Sequence, residues 1–565
     1  MNRLQENVKE ELNGHRARQH ANFIAQWMRT PGSTGIEKTN SHAREALYSY
    51  GLDRVYEIIY PSEEDGTQDL AFTGWDVNDA RLEIVEPETT LITSYTESPT
   101  CIQHWSIPTP PEGVEAELVD VGIGVRQSDY EGKDLEGKIV LATGDGHAEG
   151  NSQAYLLAVE KYGAIGLVTD NLIYQQPPYR VRENHPDAIA LLRVPSREER
   201  GWAFTISHTQ GTYLRNLLKR GPVKLRATID AANFPGEGGE LVGEITGTEH
   251  PEQEIWFVGH SSGTKPGANC AGGVGLWIEN ARAIMSLIGQ EKVPRPRRTI
   301  KFLLGAEGGG LNAYLKARPV DPGNVVAAFV YCSVGNDQGL NNSSLILYKS
   351  AESIPSFVND LCIDAIEGLS MDALPPFKDE TRDIQLIRFN VLPYTPWSDN
   401  SRLMRLKIPS PLFMSWPSQH FHTQFLTADK LDPAVLKRCG EVTTSVALMV
   451  ANAGLNEARY IAQVVEAKGR SRFMKISTGA YGEMTDALSG DSDPGASLRE
   501  ISEHRRGEID YQADRSLGAL DSIKVLADDA GFQRELDEMK EQLQRGRDAE
   551  KKKIEGHRSV LSGEA

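Results

Sequence analysis

Glu254–Gly289 reads EIWFVGHSSGTKPGANCAGGVGLWIENARAIMSLIG, and two hydrophobic periods lie inside it. EIWFVGH is a short, nearly continuous apolar run of the kind that forms a buried strand, whereas VGLWIENARAIMSLIG repeats its apolar residues at helical spacing. Working outward, ELVGEITGT (Glu240–Thr248), RTIKFLLGAE (Arg298–Glu307) and VVAAFVYCSVG (Val325–Gly335) read as further strands. Strands alternating with helices predict an α/β fold with a mixed, largely parallel sheet flanked by helices. Ligand sites in such sheets lie at the carboxyl ends of strands. His260, Glu307 and Cys332 each stand at or just past the end of a predicted strand, so they are candidates to converge.

The chain of 565 residues is too long for one core and implies two or three domains. Its net charge of -19 argues against broad attraction to nucleic acid or anionic membrane. GPVKLR and PRPRRT are basic patches too short to indicate nucleic-acid binding. No stretch approaches the roughly 18 apolar residues of a spanning helix, and the start has no signal-type apolar core. The expectation is a cytoplasmic protein with neither nucleic-acid nor membrane partner. The 5 cysteines, from Cys101 to Cys439, are too scattered for a disulfide framework, and their odd number leaves at least one thiol free.

Apolar spacing predicts helices over much of residues 1–60, broken at PGSTG. Between about 95 and 235 come short β-type runs: EGKIVLATGDG as a strand, SQAYLLAVEKYGA as a helix and IGLVTDN as a second strand. Asp145 and His147 in GDGHAEG read as loop residues. From about 455 the chain becomes helical and highly charged, predicting a solvated helix or helical pair packed on the body. That segment would also be the element to form a homodimer.

WFVGHSSG, PGANCAGGVGLWIENAR, RTIKFLLGAEGGGLNAYL, AAFVYCSVG and HFHTQFLTADKLDP resemble, in order, the blocks of the zinc aminopeptidase family that includes glutamate carboxypeptidase and glutaminyl cyclase (peptidase family M twenty-eight). The strand, helix, strand order near Gly137–Leu141 and Gly163–Asn171 resembles the protease-associated domain that often interrupts such enzymes. The resemblance implies an N-terminal helical part of the catalytic domain (1–94), a protease-associated-like insert (95–235), an aminopeptidase-like metal-site domain (236–455) and a charged helical C-terminal extension (456–565).

The family holds two zinc ions with a histidine, a bridging aspartate, a glutamate, a second aspartate and a final histidine. By resemblance these positions fall on His260, Cys270, Gly308, Cys332 and His422, and the general base, directly before the ligand glutamate, falls on Glu307. Ser262 replaces an aspartate that supports the first histidine. Cys270 and Cys332 preserve the ligand charge, because a metal-bound thiol is deprotonated. Cys₂His with an open fourth position is a catalytic zinc set. Gly308 offers no side chain to a second ion, so the expectation is one Zn²⁺ held by His260, Cys270 and Cys332. Decay of a former metal site would explain Gly308 and Ser262, but explains two cysteines at the two first-ion positions less well.

His422 would be either a fourth ligand or a hydrogen-bonding group for substrate. His420, spaced two residues from it, could face the same side of an extended segment. Tyr394, Trp397, Asp399 and Asn400 in PYTPWSDNSR resemble the family loop that lines the substrate pocket. The implied activity is hydrolysis of an amide or peptide bond, with Glu307 moving the proton. Two alternatives stand beside it: a zinc-dependent lyase or other acid–base reaction on a non-peptide small molecule, and a pseudo-peptidase that acts by binding.

Overall fold

The computed structural model describes residues 2–61, 73–195, 201–371, 387–490 and 493–564. Its larger sheet has eight strands in the order Arg54–Pro61, Glu237–Ile245, Arg298–Gly305, His250–His260, Val325–Tyr331, Leu412–Trp416, Ser344–Tyr348 and Phe389–Leu392. The central four from Arg298–Gly305 to Leu412–Trp416 run parallel, and antiparallel pairings flank them. Their sequences dictate this position. Every residue of VVAAFVY is buried, as expected of a strand covered on both faces. Alternation then sends Phe257, Phe302 and Phe329 to one face and Trp256, Val258 and Val330 to the other.

Helix Ala268–Gly289 covers the first face and packs on helix Gly14–Ile24. Contact is close enough that a Cβ on Gly275 would stand 2.2 Å from the Ala17 carbonyl oxygen. Thus a glycine in the PGANCAGGVGLW segment serves backbone-to-backbone packing, and the helix begins early enough to place Cys270 in its first turn.

Residues 54–61 and 73–94, assigned on sequence to a helical part, are largely strands. RVYEIIY and ARLEIVE carry the β-branched and aromatic residues that fit a pleated surface. Arg54–Pro61 becomes an edge of the larger sheet, while Thr73–Glu86 and Thr90–Ser94 enter a second sheet of seven strands. Its order is Thr90–Ser94, Thr73–Glu86, Lys224–Pro235, Val114–Asp120, Ile139–Ala142, Gly166–Thr169 and Trp202–Thr205. The second sheet has its own core around Trp75, Tyr155 and Phe204.

Three long helices, Leu455–Gly490, Pro494–Ser522 and Ala530–Ser562, pack together and onto helix Phe357–Met371. Buried Phe532, Leu536, Leu543 and Ile554 form the sparse apolar stripe of the last helix. Among the described residues there are thirteen α-helices, and none is long and apolar enough to cross a membrane.

The bundle is tied down by Arg472, whose Nη1 and Nη2 donate to the two carboxylate oxygens of buried Asp360 at 2.5 and 3.1 Å. Removing one member of a buried pair leaves the other charge uncompensated. Arg472→Met is expected to cost about 3–5 kcal/mol in urea unfolding. Arg470→Met, which removes a pair to Glu466 at a half-exposed arginine, should stay within about 1 kcal/mol of wild type.

Candidate metal and active site

Strand register builds the site. His260 lies opposite Gly305 on one neighbour, and Val258 lies opposite Val330 on the other. Cys332, two residues past Val330, therefore ends level with His260, and Glu307 follows two residues past Gly305. One ligand atom from each of His260, Glu307 and Cys332 lies within 4.8 Å of the others. Cys270 is not one of that group of three, although both thiols act electrostatically on the His260 imidazole. Cys270 arrives from the first turn of helix Ala268–Gly289, where the positive end of the helix dipole favours a negative ligand.

The loop carrying Glu307 is fixed from two sides. Its main-chain N–H donates to Ser262 Oγ at 3.0 Å, and Ser398 Oγ donates to its Oε1 at 2.8 Å. Ser398 Oγ is also 3.4 Å from His260 Nδ1, and Asp399 Oδ2 lies 3.7 Å from the same nitrogen. Support for His260 thus comes from Ser398 and Asp399, while Ser262 holds the Glu307 backbone. Asp399 Oδ1 additionally accepts the Gly308 N–H at 2.8 Å.

Gly308 has φ +72° and ψ −46°, and the Gly309 N–H donates to the Glu307 carbonyl at 2.9 Å. This is a three-residue γ-turn of the rare, strained hand, which glycine tolerates best. A Cβ at 308 would also lie 2.2 Å from Arg402 Nη2. The positive φ therefore disfavours a side chain there, and one could be admitted only by moving the Arg402 guanidinium.

His422 enters from a loop gripped by the smaller-sheet module. The Leu191 N–H donates to the His422 carbonyl at 2.7 Å, and Ala190 pairs with Thr423. Arg180, fully buried, donates to the carbonyls of Gln419 and Phe421 as well as to those of Ile173 and Tyr174. His422 itself has φ +53°. Protein surrounds it, yet part of its surface faces a chamber of about 270 Å³ between the two modules. Ser262, Cys270, Glu307 and His422 form one wall, and His104, Glu149, Tyr174 and Arg193 of the smaller-sheet module form the other. Glu149 and Tyr174 also border an outer cavity of about 490 Å³ that contains Trp397 and Trp416.

Charge in this pocket is organised unevenly. Burial opposes protonation of His260, but the Glu307 charge, Asp399 and the two thiols outweigh it and hold the imidazole well above its usual range. Burial pushes the Cys332 thiol up against the pull of His260. His422 is driven down to about 3 by burial and then by Arg180 and Arg193, which keeps its ring neutral. Behind the loop, Glu240 is wedged between Gly305 and Gly310, and burial followed by the charges of Asp399 and Glu57 raises its pKa far above the carboxylate range.

The remaining sequence candidates divide. Trp397 borders the outer cavity, and Asp399 stands behind the site. Asn400 bonds within its own loop, to the Thr395 carbonyl and the Ser398 N–H. Tyr394 is not part of either cavity wall, and its hydroxyl is buried. His420 turns toward His185 and Phe425, outside the chamber lining. His147, read as a loop residue, stands at the N-cap position of helix Ala148–Tyr155 without a capping side-chain hydrogen bond, at the outer cavity. Sequence reasoning missed Ser398, although it stands inside the PYTPWSDNSR loop, and also Arg180 and the module wall of Glu149, Tyr174 and Arg193, which lie far along the chain from the strand ends and carry no local motif.

Two thiols, an imidazole and a carboxylate are donors suited to one zinc ion. A second ion would find no side chain at Gly308.

No protein-family model matches the chain, and no curated protein matches it in sequence. Solved structures do. The peptidase M28 precursor of Shewanella amazonensis SB2B superposes with a TM-score of 0.56 at 18% identity, covering 80% of this chain and 95% of that one. The zinc aminopeptidase BSAP of Bacillus subtilis gives 0.53 at 17% identity, with 77% and 94% covered. The aminopeptidase of Aneurinibacillus sp. strain AM-1 gives 0.50 at 20% identity, with 79% and 96% covered. The chain therefore has an aminopeptidase-like fold.

Two outcomes follow for metal uptake. Raised His260 and Cys332 hold their protons in the metal-free chain, so zinc must displace them. Chelator competition should show zinc binding tightening from about pH 6 to pH 8, whereas a flat profile would contradict this charge arrangement. Gly308→Glu should leave the zinc content at about one per chain and destabilise the fold by about 1–3 kcal/mol, measured by mass spectrometry and urea unfolding.

Proposed function

We propose that this chain is a mononuclear zinc hydrolase that cleaves an amide bond in a small substrate. The observation that carries the reading is the meeting of His260, Glu307 and Cys332 at the ends of three adjacent parallel strands. His260, Cys270 and Cys332 would hold the ion, which when bound supplies Lewis-acid polarisation and acidifies water.

Glu307 is the proton-moving group. Ser398 occupies its Oε1, and among the described residues its second carboxylate oxygen accepts no hydrogen bond, which leaves that oxygen for the chamber. A positioned carboxylate of this kind takes a proton from the attacking group and returns it to the leaving group. Neutral His422 can accept or donate one hydrogen bond to substrate. The smaller-sheet module, read as a protease-associated-like insert, supplies the opposite wall.

Gly308 supports a second reading. Without a second ion, the site lacks the anchor that the resemblance implies for a free amino terminus, and the chamber of about 270 Å³ is small for an extended peptide. Acid–base chemistry on a non-peptide metabolite, such as a lyase reaction, uses the same Glu307.

Purified wild type should carry about one zinc per chain, and Cys270→Ser and Cys332→Ser should each lose most of it. Glu307→Gln should retain the ion and lose about 10²–10⁴-fold in kcat in a screen of aminoacyl amides and small polar metabolites. Metal-free wild type purified without chelator would overturn the enzyme reading in favour of a binding protein. Full activity in Glu307→Gln would remove the assigned base.

A further inference from the structure

Arg29 is fully buried and, among the described residues, has no carboxylate partner. Its Nε donates to the Ser261 carbonyl at 2.9 Å, Nη1 to those of Ile24 and Trp27 at 2.7 and 3.1 Å, and Nη2 to that of Gly267 at 3.1 Å. Its backbone pairs twice with Gly263, each N–H donating to the other's carbonyl at 3.0 Å. Arg29 therefore grips both ends and the middle of the segment between His260 and Cys270. Four of its five guanidinium N–H groups are spent on carbonyls, and the fifth is on Nη2.

Gly263 neighbours both that nitrogen and Cys270: a Cβ placed on Gly263 would lie 2.6 Å from Arg29 Nη2 and 3.5 Å from Cys270 Cβ. Burial lowers the guanidinium pKa to about 10, and the Cys270 charge acts in the opposite direction. The group stays cationic at neutral pH. A buried cation without an anion is costly, and Cys270 is the acidic group acting on it.

We propose that Arg29 is a positioning residue of the zinc site, which holds the His260–Cys270 segment in ligand geometry and sets a fixed positive charge beside the Cys270 ligand. The inference rests on the zinc reading above. It assigns a role to a residue outside the ligand set, and that role follows from two features found together: a four-carbonyl clamp and, among the described residues, the absence of a carboxylate. Lysine could keep the charge but has three donors on one nitrogen and cannot span the same carbonyls.

The test is zinc affinity by chelator competition, with the Co²⁺-substituted protein read by its thiolate-to-metal absorption. Arg298→Met is the control: Arg298 is equally buried and also bonds main-chain carbonyls, but at the opposite end of its strand from Glu307. Arg29→Met should bind zinc at least about tenfold more weakly than wild type. Its thiolate-to-cobalt band should be shifted or diminished, Arg29→Lys should fall between the two, and Arg298→Met should match wild type. Equal affinity and spectra in wild type and Arg29→Met would overturn the role of Arg29 alone, as would an equal loss in Arg29→Met and Arg298→Met. A wild type that takes up no zinc would overturn the zinc site itself. Should Arg29→Met fail to fold, Gly263→Ala displaces the guanidinium by its new Cβ, and unchanged zinc affinity and cobalt spectrum in that variant would count against the proposal.

Discussion

The parallel register of three neighbouring strands is the constraint on which the site depends. His250–His260 runs between Arg298–Gly305 and Val325–Tyr331, and the register levels His260 with Gly305 and Cys332. A one-residue slip would turn every side chain of a strand to the opposite face, taking either His260 or Cys332 away from the pocket. The buried aromatic residues of the two faces fix that register, with Phe257 stacked on Phe302 at a centroid distance of 4.9 Å. Core packing and ligand geometry are therefore one requirement.

Around this frame, charge and backbone strain do complementary work. The Glu307–Gly309 γ-turn disfavours a side chain at 308, while Asp399 holds the turn by its Gly308 N–H and flanks His260. Two buried arginines, Arg29 and Arg180, hold the segments next to Cys270 and His422 through main-chain carbonyls. Such bonds fix backbone position without spending a carboxylate on each cation. They also join three remote parts of the chain: the N-terminal helices, the smaller-sheet module and the strand ends.

The strand ends were legible in the sequence because buried parallel strands are written as continuous apolar runs, and EIWFVGH, RTIKFLLG and VVAAFVY carry their chemistry at the last residue or one or two beyond it. Cys270 was legible by its place in PGANCAGG, although the helix begins earlier than its apolar period indicates because small residues dominate its first turn. Residues 73–94 were not legible as part of a second sheet, since membership depends on pairing with Lys224–Pro235 far along the chain. Nor were Arg29 and Arg180, whose roles consist of bonds to carbonyls, a group every residue carries. His420 shows the converse: period-two spacing suggested a common direction with His422, but the positive φ at His422 breaks the extended geometry.

The central claim, carried by the proposal, is that a single zinc ion sits beside Glu307 with Cys270 and Cys332 among its ligands. Zinc K-edge X-ray absorption of the purified full chain tests it most directly. A single ion with two sulfur neighbours at about 2.3 Å and a nitrogen neighbour at about 2.0 Å is the predicted shell. A shell of oxygen and nitrogen alone, or two ions per chain, would contradict it.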